Sequence, residues 1–318
     1  MSLAAEIHIL TCNLPLSYIA ALRTQAPNIV VHRATDAGEL GEEARKTILA
    51  ALVWGMPPHR LHLLPKLALV QGMGAGVDRL LTPGTVPEHV PIARISNELQ
   101  GVAMTEYVLL HVLRQHRSLQ AAFDRHQRRE WGGPDSGYVG TRVIGVMGLG
   151  EIGRRVCRSA AAIGFQVRGL SRTQKAVEGV QCFDPGSFDR FLEGCQHLVC
   201  LLPLTPETGG ILNSRTFDRL AMGAFLINAG RGAHLVEADL IPALDSGRLG
   251  GATLDVLVDE PPPAGHTFWS DSRILLTGHS AAASYLAAED VAPQIAGNLG
   301  RVAAGLVPRD LVDRRKGY

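Results

Sequence analysis

The segment VIGVMGLGEIG, residues 143–153, constrains the fold of this chain more than any other stretch of the sequence. A short apolar run predicts a strand that leads directly into Gly148, Gly150 and Gly153, and a helical pattern follows to about Ile163. In this GxGxxG spacing the first glycine permits a tight turn, the second lets the backbone approach a pyrophosphate, and the third lets helix and strand pack closely. The alternative is a glycine-rich turn without a ligand, but the strand-turn-helix context favours a dinucleotide site. The residues between the glycines that we assign to this site are Leu149, Glu151 and Ile152.

The next strand ends without the acidic residue expected after a dinucleotide fingerprint. An acid there would accept hydrogen bonds from the ribose hydroxyls of NAD and repel a 2′-phosphate. The sequence instead has Ser171, Arg172 and Thr173, with Lys175 close behind. Donors and positive charge suit a phosphate, so the stretch predicts a preference for NADP, with NAD still possible. The alternative is a basic loop that is merely solvated.

Strand-like and helix-like segments alternate along the whole chain, which predicts parallel sheets wrapped by helices. At 318 residues the chain exceeds the usual size of a single core, so we expect two domains. Residues 59–67 are predicted to form a crossover helix, and residues 97–127 one long helical segment. The fold class is therefore α/β, with two doubly wound parallel-sheet domains.

Composition narrows the class of partner to a small molecule. The 31 basic residues balance 30 acidic ones, so the chain has no excess positive charge for nucleic acid or anionic lipid. Five cysteines without a CxxC pair predict neither a disulfide framework nor a metal site. The N-terminal run lacks the basic flank of a signal peptide, and no apolar run reaches the ~18 residues of a membrane span. We expect a cytoplasmic protein.

Three polar residues follow successive predicted strands of the second domain: Arg231 in INAGRGA, Glu260 in LDVLVDEPPP and His279 in LTGHSAAAS. Each alone has a structural interpretation, as a paired cation, an exposed acid before prolines, or a structural histidine. Ligands of open parallel sheets bind beyond the carboxyl ends of the strands, so the three together indicate a catalytic set.

The motifs GLGEIG, LLPLTPETGGILN, LINAGRG, LDV followed by EPPP, and TGHSAAAS resemble, in this order, the D-isomer-specific 2-hydroxyacid dehydrogenase family. ALVWGMPP, VQGMGAGVDRLL and LVDRRKGY are similar to its glyoxylate/hydroxypyruvate reductase branch. The resemblance implies NAD(P)H-dependent reduction of a short 2-keto acid to the D-2-hydroxy acid. Arg231 would hold the substrate carboxylate, His279 would donate the proton, and Glu260 would stabilise the imidazolium.

The same resemblance assigns further contacts on both domains. The substrate would contact the backbone of the loop GMGAGVD, residues 72–78, and the side chain of Trp54. For Trp54, an aromatic that only closes the edge of the sheet is an equal alternative. Asp255 would hydrogen-bond the nicotinamide carboxamide, with a polar strand end as its alternative. The remaining assigned residues are Gly74, Ala75, Gly76 and Val77 for the substrate, and Leu202, Pro203 and Ala229 for the nicotinamide.

The resemblance also implies the organisation of the chain. A flavodoxin-like substrate domain would comprise residues 1–97 and 284–318, and a Rossmann dinucleotide-binding domain, residues 98–283, would be inserted in it. The helix from about residue 100 resembles a dimerisation region, so we expect a homodimer. Gly278 replaces the proline that often precedes the family's catalytic histidine, and it is expected to loosen that turn. Alternatives in function are a different substrate, such as phosphite or a bulkier keto acid, and a dinucleotide-sensing binding protein without turnover.

Overall fold

The computed structural model describes residues 5–133, 137–284 and 287–317. The chain divides into two compact units, one comprising Met1–Leu99 and Ser284–Tyr318, the other Gln100–Ala283. The final residue of the motif LVDRRKGY lies outside the described residues.

The first unit is built on a parallel sheet in which five strands are described. Its order is β2-β1-β3-β4-β5, the flavodoxin-like arrangement. The strands are β1 (Ile7–Thr11), β2 (Ile29–Arg33), β3 (Ile48–Val53), β4 (Leu69–Gly72) and β5 (Ile92–Ala93).

Both faces of this sheet are buried. Successive side chains of a strand point to opposite sides, so each strand contributes to both apolar cores. In β3, Ala50 and Leu52 join one apolar core, and Ala51 and Val53 join the other. The helices of this unit are α1 (Leu16–Gln25), α2 (Glu42–Thr47) and α9 (Ala287–Ala303).

The C-terminal helix belongs to the first unit through buried polar contacts as well as apolar packing. Asn298 of α9 is 1% exposed and donates from Nδ2 to Oε1 of Gln71, in β4, at 2.9 Å. Both side chains are buried and polar, so their hydrogen bond fixes α9 in register with the sheet.

The crossover helix predicted at residues 59–67 is wrong. The structure forms only a short 3-10 turn, Leu61–Leu63, after Arg60 in the left-handed conformation. Pro65 lies two residues after this turn and cannot continue a helix, since it lacks a backbone N–H.

The second unit contains a parallel sheet with seven described strands in the order β12-β11-β10-β9-β6-β7-β8. Strand order reverses between β6 and β9, where the Rossmann fold binds a dinucleotide. The strands are β6 (Val143–Met147), β7 (Gln166–Leu170), β8 (Val180–Phe183), β9 (His197–Cys200), β10 (Ala224–Asn228), β11 (Leu249–Leu254) and β12 (Ile274–Leu276).

Helices cover both faces of this second sheet, which confirms the predicted fold class of two doubly wound domains. The helices are α3 (Glu98–His116), α4 (Leu119–Gln127), α5 (Glu151–Ile163), α6 (Phe188–Leu192), α7 (Ser214–Arg219) and α8 (Glu237–Asp245). Among the helices of the described ranges, none is long and apolar enough to cross a membrane.

The single long helix predicted over residues 97–127 is instead two helices. α3 and α4 are separated at Ser118, which has a φ of 50° and therefore lies in the left-handed region. A left-handed residue interrupts the right-handed helical backbone at one position. The apolar periodicity of the sequence continues on both sides of that residue, so the periodicity does not reveal the break.

Candidate active site

The glycine fingerprint occupies the turn from β6 into α5. Gly148 has a φ of 104°, and a Cβ on it would lie 2.8 Å from the carbonyl oxygen of Leu201. A Cβ on Gly153 would collide with the carbonyl of Gly148. These two glycines are therefore required by the folded chain itself.

Gly150 differs from its two neighbours in the fingerprint. It lies at the N-terminus of α5 with a φ of −69°, and a Cβ on it would meet no atom within 4 Å. Protein packing does not require a glycine here, whereas close approach of a phosphate would. The side chains of Leu149 and Ile152 pack into the core, so their cofactor contacts would come from backbone groups.

The basic stretch after β7 is exposed except for its first residue. Ser171 is buried, and its hydroxyl donates to the carbonyl oxygen of Thr173 at 2.6 Å, which closes the turn. Arg172, Thr173 and Lys175 are exposed. A hydrogen bond from Thr205 and, to a lesser degree, the charge of Arg172 lower the pKa of Glu207. The loops after β7 and β9 therefore lie close enough to share this electrostatic interaction.

Arg231 follows β10 and is half-buried. Its Nη1 donates to the carbonyl oxygen of Gly230 at 2.8 Å. The next residue, Gly232, packs so tightly against the backbone of Leu257 and Val258 that a Cβ would collide with it. The turn that carries Arg231 is thus pressed against the segment that follows β11.

Glu260 and His279 form a direct pair. Nδ1 of His279 lies 2.8 Å from Oε2 of Glu260, and the other carboxylate oxygen accepts from the backbone N–H of Leu257 at 3.0 Å. A carboxylate can only accept, so Nδ1 carries the proton and Nε2 is directed elsewhere. The His279 side chain is 52% exposed, which leaves it accessible to a substrate.

The backbone at His279 adopts a conformation that the sequence did not predict. Its φ is 53°, and its N–H donates to the carbonyl oxygens of Thr277 and Asp255, both at 2.9 Å. The first of these bonds closes a three-residue turn centred on Gly278. Left-handed backbone at a histidine is uncommon and persists where surrounding contacts hold it.

Asp255 supplies those contacts. Its carboxylate accepts from the Thr277 hydroxyl at 2.6 Å and from the backbone N–H groups of Ser280 and Ala281 at 2.8 and 2.9 Å. The Tyr107 hydroxyl of α3 donates in turn to Thr277 at 2.7 Å, and burial raises the pKa of Tyr107. The carboxylate therefore holds the loop of His279, and the expected contact with a carboxamide remains a prediction for its one unused acceptor position.

Leu202, Pro203 and Ala229 follow the carboxyl ends of β9 and β10, beside the fingerprint turn. The N–H of Ala229 donates to the carbonyl oxygen of Cys200 at 3.2 Å, which extends the pairing of these two strands. The second unit thus gathers the fingerprint, Arg231, Glu260 and His279 along the carboxyl edge of one sheet.

In the first unit, Trp54 follows β3 and is 41% exposed, with its ring edge-on to Tyr18 at 5.1 Å between centroids. Val77 is buried in the core, so only its backbone is available to a ligand. Gly74 and Ala75 are half-buried and Gly76 is exposed. These residues lie at the carboxyl ends of β3 and β4, adjacent strands of the sheet.

Sequence reasoning missed His234, which lies in the turn after Arg231 and has no exposed surface. It also missed the support that Tyr107 and Thr277 give to the loop of His279. The only sequence signal for His234 was a polar residue within an apolar run, which also describes many structural histidines.

The fold and these side chains define a dinucleotide-binding α/β protein with an acid-base pair at its site. Residues 108–281 match the family model described as D-isomer specific 2-hydroxyacid dehydrogenase, NAD binding domain. A glyoxylate/hydroxypyruvate reductase A of Serratia proteamaculans is 44% identical over 276 residues, covering 84% of this chain and 87% of the relative. The chain belongs to the D-isomer-specific 2-hydroxyacid dehydrogenase family.

Two solved structures are similar over nearly the whole chain. An NADPH-dependent glyoxylate/hydroxypyruvate reductase from Sinorhizobium meliloti, in complex with NADP and sulfate, is 34% identical with a TM-score of 0.90, covering 98% of this chain and 100% of that one. A D-isomer specific 2-hydroxyacid dehydrogenase from Xanthobacter autotrophicus Py2, in complex with NADPH and MES, is 36% identical with a TM-score of 0.89, covering 99% of this chain and 100% of that one.

Proposed function

We propose that this protein reduces a short 2-keto acid, such as glyoxylate or hydroxypyruvate, to the D-2-hydroxy acid with NADPH. The observation that carries the proposal is the pair of His279 and Glu260, 2.8 Å apart, on the sheet edge that also bears the fingerprint. The Serratia relative is named for this activity, and the two solved structures hold NADP and NADPH. A binding protein without turnover would have no need of an exposed, carboxylate-paired imidazole.

The reaction requires three functions from the chain. Arg231 would bind the substrate carboxylate through its planar guanidinium and polarise the ketone. Nε2 of His279 would donate a proton to the carbonyl oxygen, while Glu260 stabilises the imidazolium before transfer. When bound, NADPH supplies a hydride to the carbonyl carbon. One hydride and one proton convert the keto acid to the hydroxy acid.

The cofactor would be held by the second unit. Backbone N–H groups around Gly150, Glu151 and Gly153, at the N-terminus of α5, would bind the pyrophosphate. The space beside Gly150 fits that approach. Arg172, Thr173 and Lys175 would face the 2′-phosphate of NADPH, and Ser171 avoids the repulsion that an acid would introduce. Leu202, Pro203, Ala229 and Asp255 would surround the nicotinamide.

The cofactor preference is tested by the double substitution Ser171→Asp and Arg172→Ala. It removes a cation from the phosphate site and adds an acid that can accept from ribose hydroxyls, so the ratio of kcat/KM for NADPH over NADH should fall at least ~10-fold. The exposed Arg158 of α5 provides the control, and Arg158→Ala should leave the ratio unchanged. An unaltered ratio in the double variant would make the stretch an ordinary solvated loop.

The first unit would contribute substrate contacts. We infer that residues 1–97 and 284–318 form the substrate domain and that residues 98–283 form the dinucleotide-binding domain. Backbone N–H groups of Gly74, Ala75, Gly76 and Val77 would contact the substrate, and Trp54 would pack against it.

We also infer a homodimer and a cytoplasmic location. Support for the dimer comes from apolar side chains on α3 and α4 that are exposed in a single chain: Leu110 is 58% and Phe123 54% exposed. Such residues on adjacent helices suit association with a second copy. The five cysteines are all unpaired, which suits a reducing compartment. Sedimentation velocity would give the mass of the assembly.

The proposed activity is tested by following NADPH absorbance with a panel of keto acids. The panel comprises glyoxylate, hydroxypyruvate, pyruvate and phenylpyruvate, with NADH as the second cofactor and phosphite with NADP as the alternative donor. Turnover should be fastest with glyoxylate and hydroxypyruvate as substrates and with NADPH as cofactor. Failure of every keto acid to be reduced would overturn the proposed function. Oxidation of phosphite alone would show that phosphite, and not a 2-keto acid, is the substrate.

A further inference from the structure

His234 is buried in the turn that begins at Arg231. It has no exposed surface, and its ring lies so close to Gly230 that a Cβ there would be 2.9 Å from Nδ1. A histidine enclosed this tightly cannot exchange protons with a substrate. Its contribution must come from the groups that it contacts.

The ring joins two backbone groups on different loops. The N–H of Arg231 donates to Nδ1 at 3.0 Å, so Nδ1 carries no proton. Nε2 therefore carries the proton, and it lies 3.3 Å from the carbonyl oxygen of Pro203. These two contacts select one neutral tautomer of the imidazole.

The two loops are those that follow adjacent strands. Pro203 follows β9, and Arg231 follows β10. The same loops are also joined by backbone hydrogen bonds, from Gly210 N–H to the Ala233 carbonyl and from Leu212 N–H to the His234 carbonyl, both 2.8 Å. The Pro203 carbonyl accepts a second hydrogen bond, from the Thr208 hydroxyl at 2.8 Å.

An apolar side chain would fill the same space but would break this connection. Leucine at position 234 leaves the Arg231 N–H without its acceptor and one acceptor position of the Pro203 carbonyl without its donor. A buried N–H left unpaired is costly, so the turn would shift to find another acceptor. The guanidinium of Arg231 starts from that turn and would move with it.

We propose that His234 is a positioning residue that fixes Arg231 relative to the Pro203 segment. It holds the cation for the keto acid in register with residues that we assign to the nicotinamide. The inference rests on the proposed function, since it gives Arg231 and Pro203 the roles stated there.

The kinetic test compares His234→Leu with His234→Asn. Leucine removes both hydrogen bonds, and the KM for glyoxylate should rise roughly tenfold, with the KM for NADPH changed less than about twofold. The Oδ1 of asparagine can occupy the position of Nδ1 and accept from Arg231, so this variant should recover most of the loss. His197→Leu, which removes a buried histidine at the amino end of β9, should leave both KM values unchanged.

Two kinetic results would overturn the proposal. One is an unchanged KM for glyoxylate in His234→Leu. The other is equal damage in the leucine and asparagine variants together with an equal rise in the KM for NADPH, which would make His234 only a packing residue.

A second measurement does not depend on turnover. Long-range proton-nitrogen correlation spectra of the wild-type protein labelled with ¹⁵N in histidine, assigned with His234→Asn, report the tautomer. The proposal requires protonated Nε2 and unprotonated Nδ1 at neutral pH; the opposite tautomer or an imidazolium would overturn it. A wild-type protein with this tautomer but no keto acid turnover would refute the proposed function while retaining the structural connection.

Discussion

His279 and His234 lie on loops at the same edge of one sheet, and the structure gives them opposite environments. His279 follows β12, is 52% exposed and pairs with a carboxylate. His234 follows β10, has no exposed surface and contacts backbone groups on two loops. One ring can therefore transfer a proton to a ligand, while the other can only hold the chain in place. The difference shows that the surroundings of a histidine, and not its place after a strand, decide its role.

The two loops also hold their key residues by different means. The turn of Arg231 is fixed by the ring of a buried side chain, His234. The loop of His279 is fixed by the carboxylate of Asp255, which accepts three hydrogen bonds from residues on both sides of a left-handed backbone. The residue that we propose as the proton donor is exposed, and it is thus positioned through the backbone of its own loop.

The largest effect is expected when the exposed imidazole of His279 is removed. His279→Ala eliminates the proposed proton donor, and kcat for glyoxylate reduction should fall by about 10²–10⁴-fold. The Kd for NADPH, measured by fluorescence titration, should change little, because the fingerprint is untouched. Retention of wild-type kcat would show that His279 is not the donor.

A smaller loss is expected when the pair is kept and its charge removed. Glu260→Gln retains a hydrogen-bonding side chain of the same size but cannot stabilise an imidazolium, so kcat should fall about tenfold. Steady-state rates at saturating NADPH and glyoxylate give the value. A rate equal to that of the wild type would mean that Glu260 does not stabilise the imidazolium and serves only in the structure of its loop.

The last prediction concerns stability and not rate, and it involves a third histidine, His197, at the amino end of β9 in the same sheet. Burial, with smaller contributions from His116 and Arg142, lowers the pKa of His197 to about 4. The unfolded chain takes up this proton near pH 6.5, so the stabilisation is complete above that pH and is lost as the pH falls from 6.5 through 4. The loss amounts to at most about 3 kcal/mol.

Thermal unfolding of the wild type and of His197→Leu checks this pH dependence. The variant lacks the titrating group, so its Tm should fall less than that of the wild type between about pH 7 and about pH 4.5. Parallel curves would show that the His197 proton does not contribute to acid sensitivity.

Much of the fold was predictable because local sequence patterns mark where strands and helices begin and end. Val143–Met147 and the helix to Ile163 match the predicted bounds, since three glycines and an apolar run mark both ends. The short strand β8 and helix α2 gave too few residues for a period to emerge. The break at Ser118 depends on one dihedral angle, which an unbroken apolar pattern does not show.

The candidate site divides in the same way. Arg231, Glu260 and His279 could be proposed from the sequence because each follows a strand of a parallel sheet. The roles of His234 and Asp255 in holding them depend on hydrogen bonds between distant segments, which residue type alone does not specify. The sequence led us to expect a loosened backbone at Gly278. In the structure the left-handed residue is His279, and hydrogen bonds hold the turn around it.

In the proposed function, this site reduces a 2-keto acid with NADPH and presents a single face of the carbonyl to the hydride. Arg231 and His279, fixed on separate loops, would hold the substrate in one orientation. The most direct measurement is the chirality of the product formed from hydroxypyruvate with NADPH. The expected product is D-glycerate, with one NADPH oxidised for each molecule formed. L-glycerate, a racemic product or no oxidation of NADPH would contradict it.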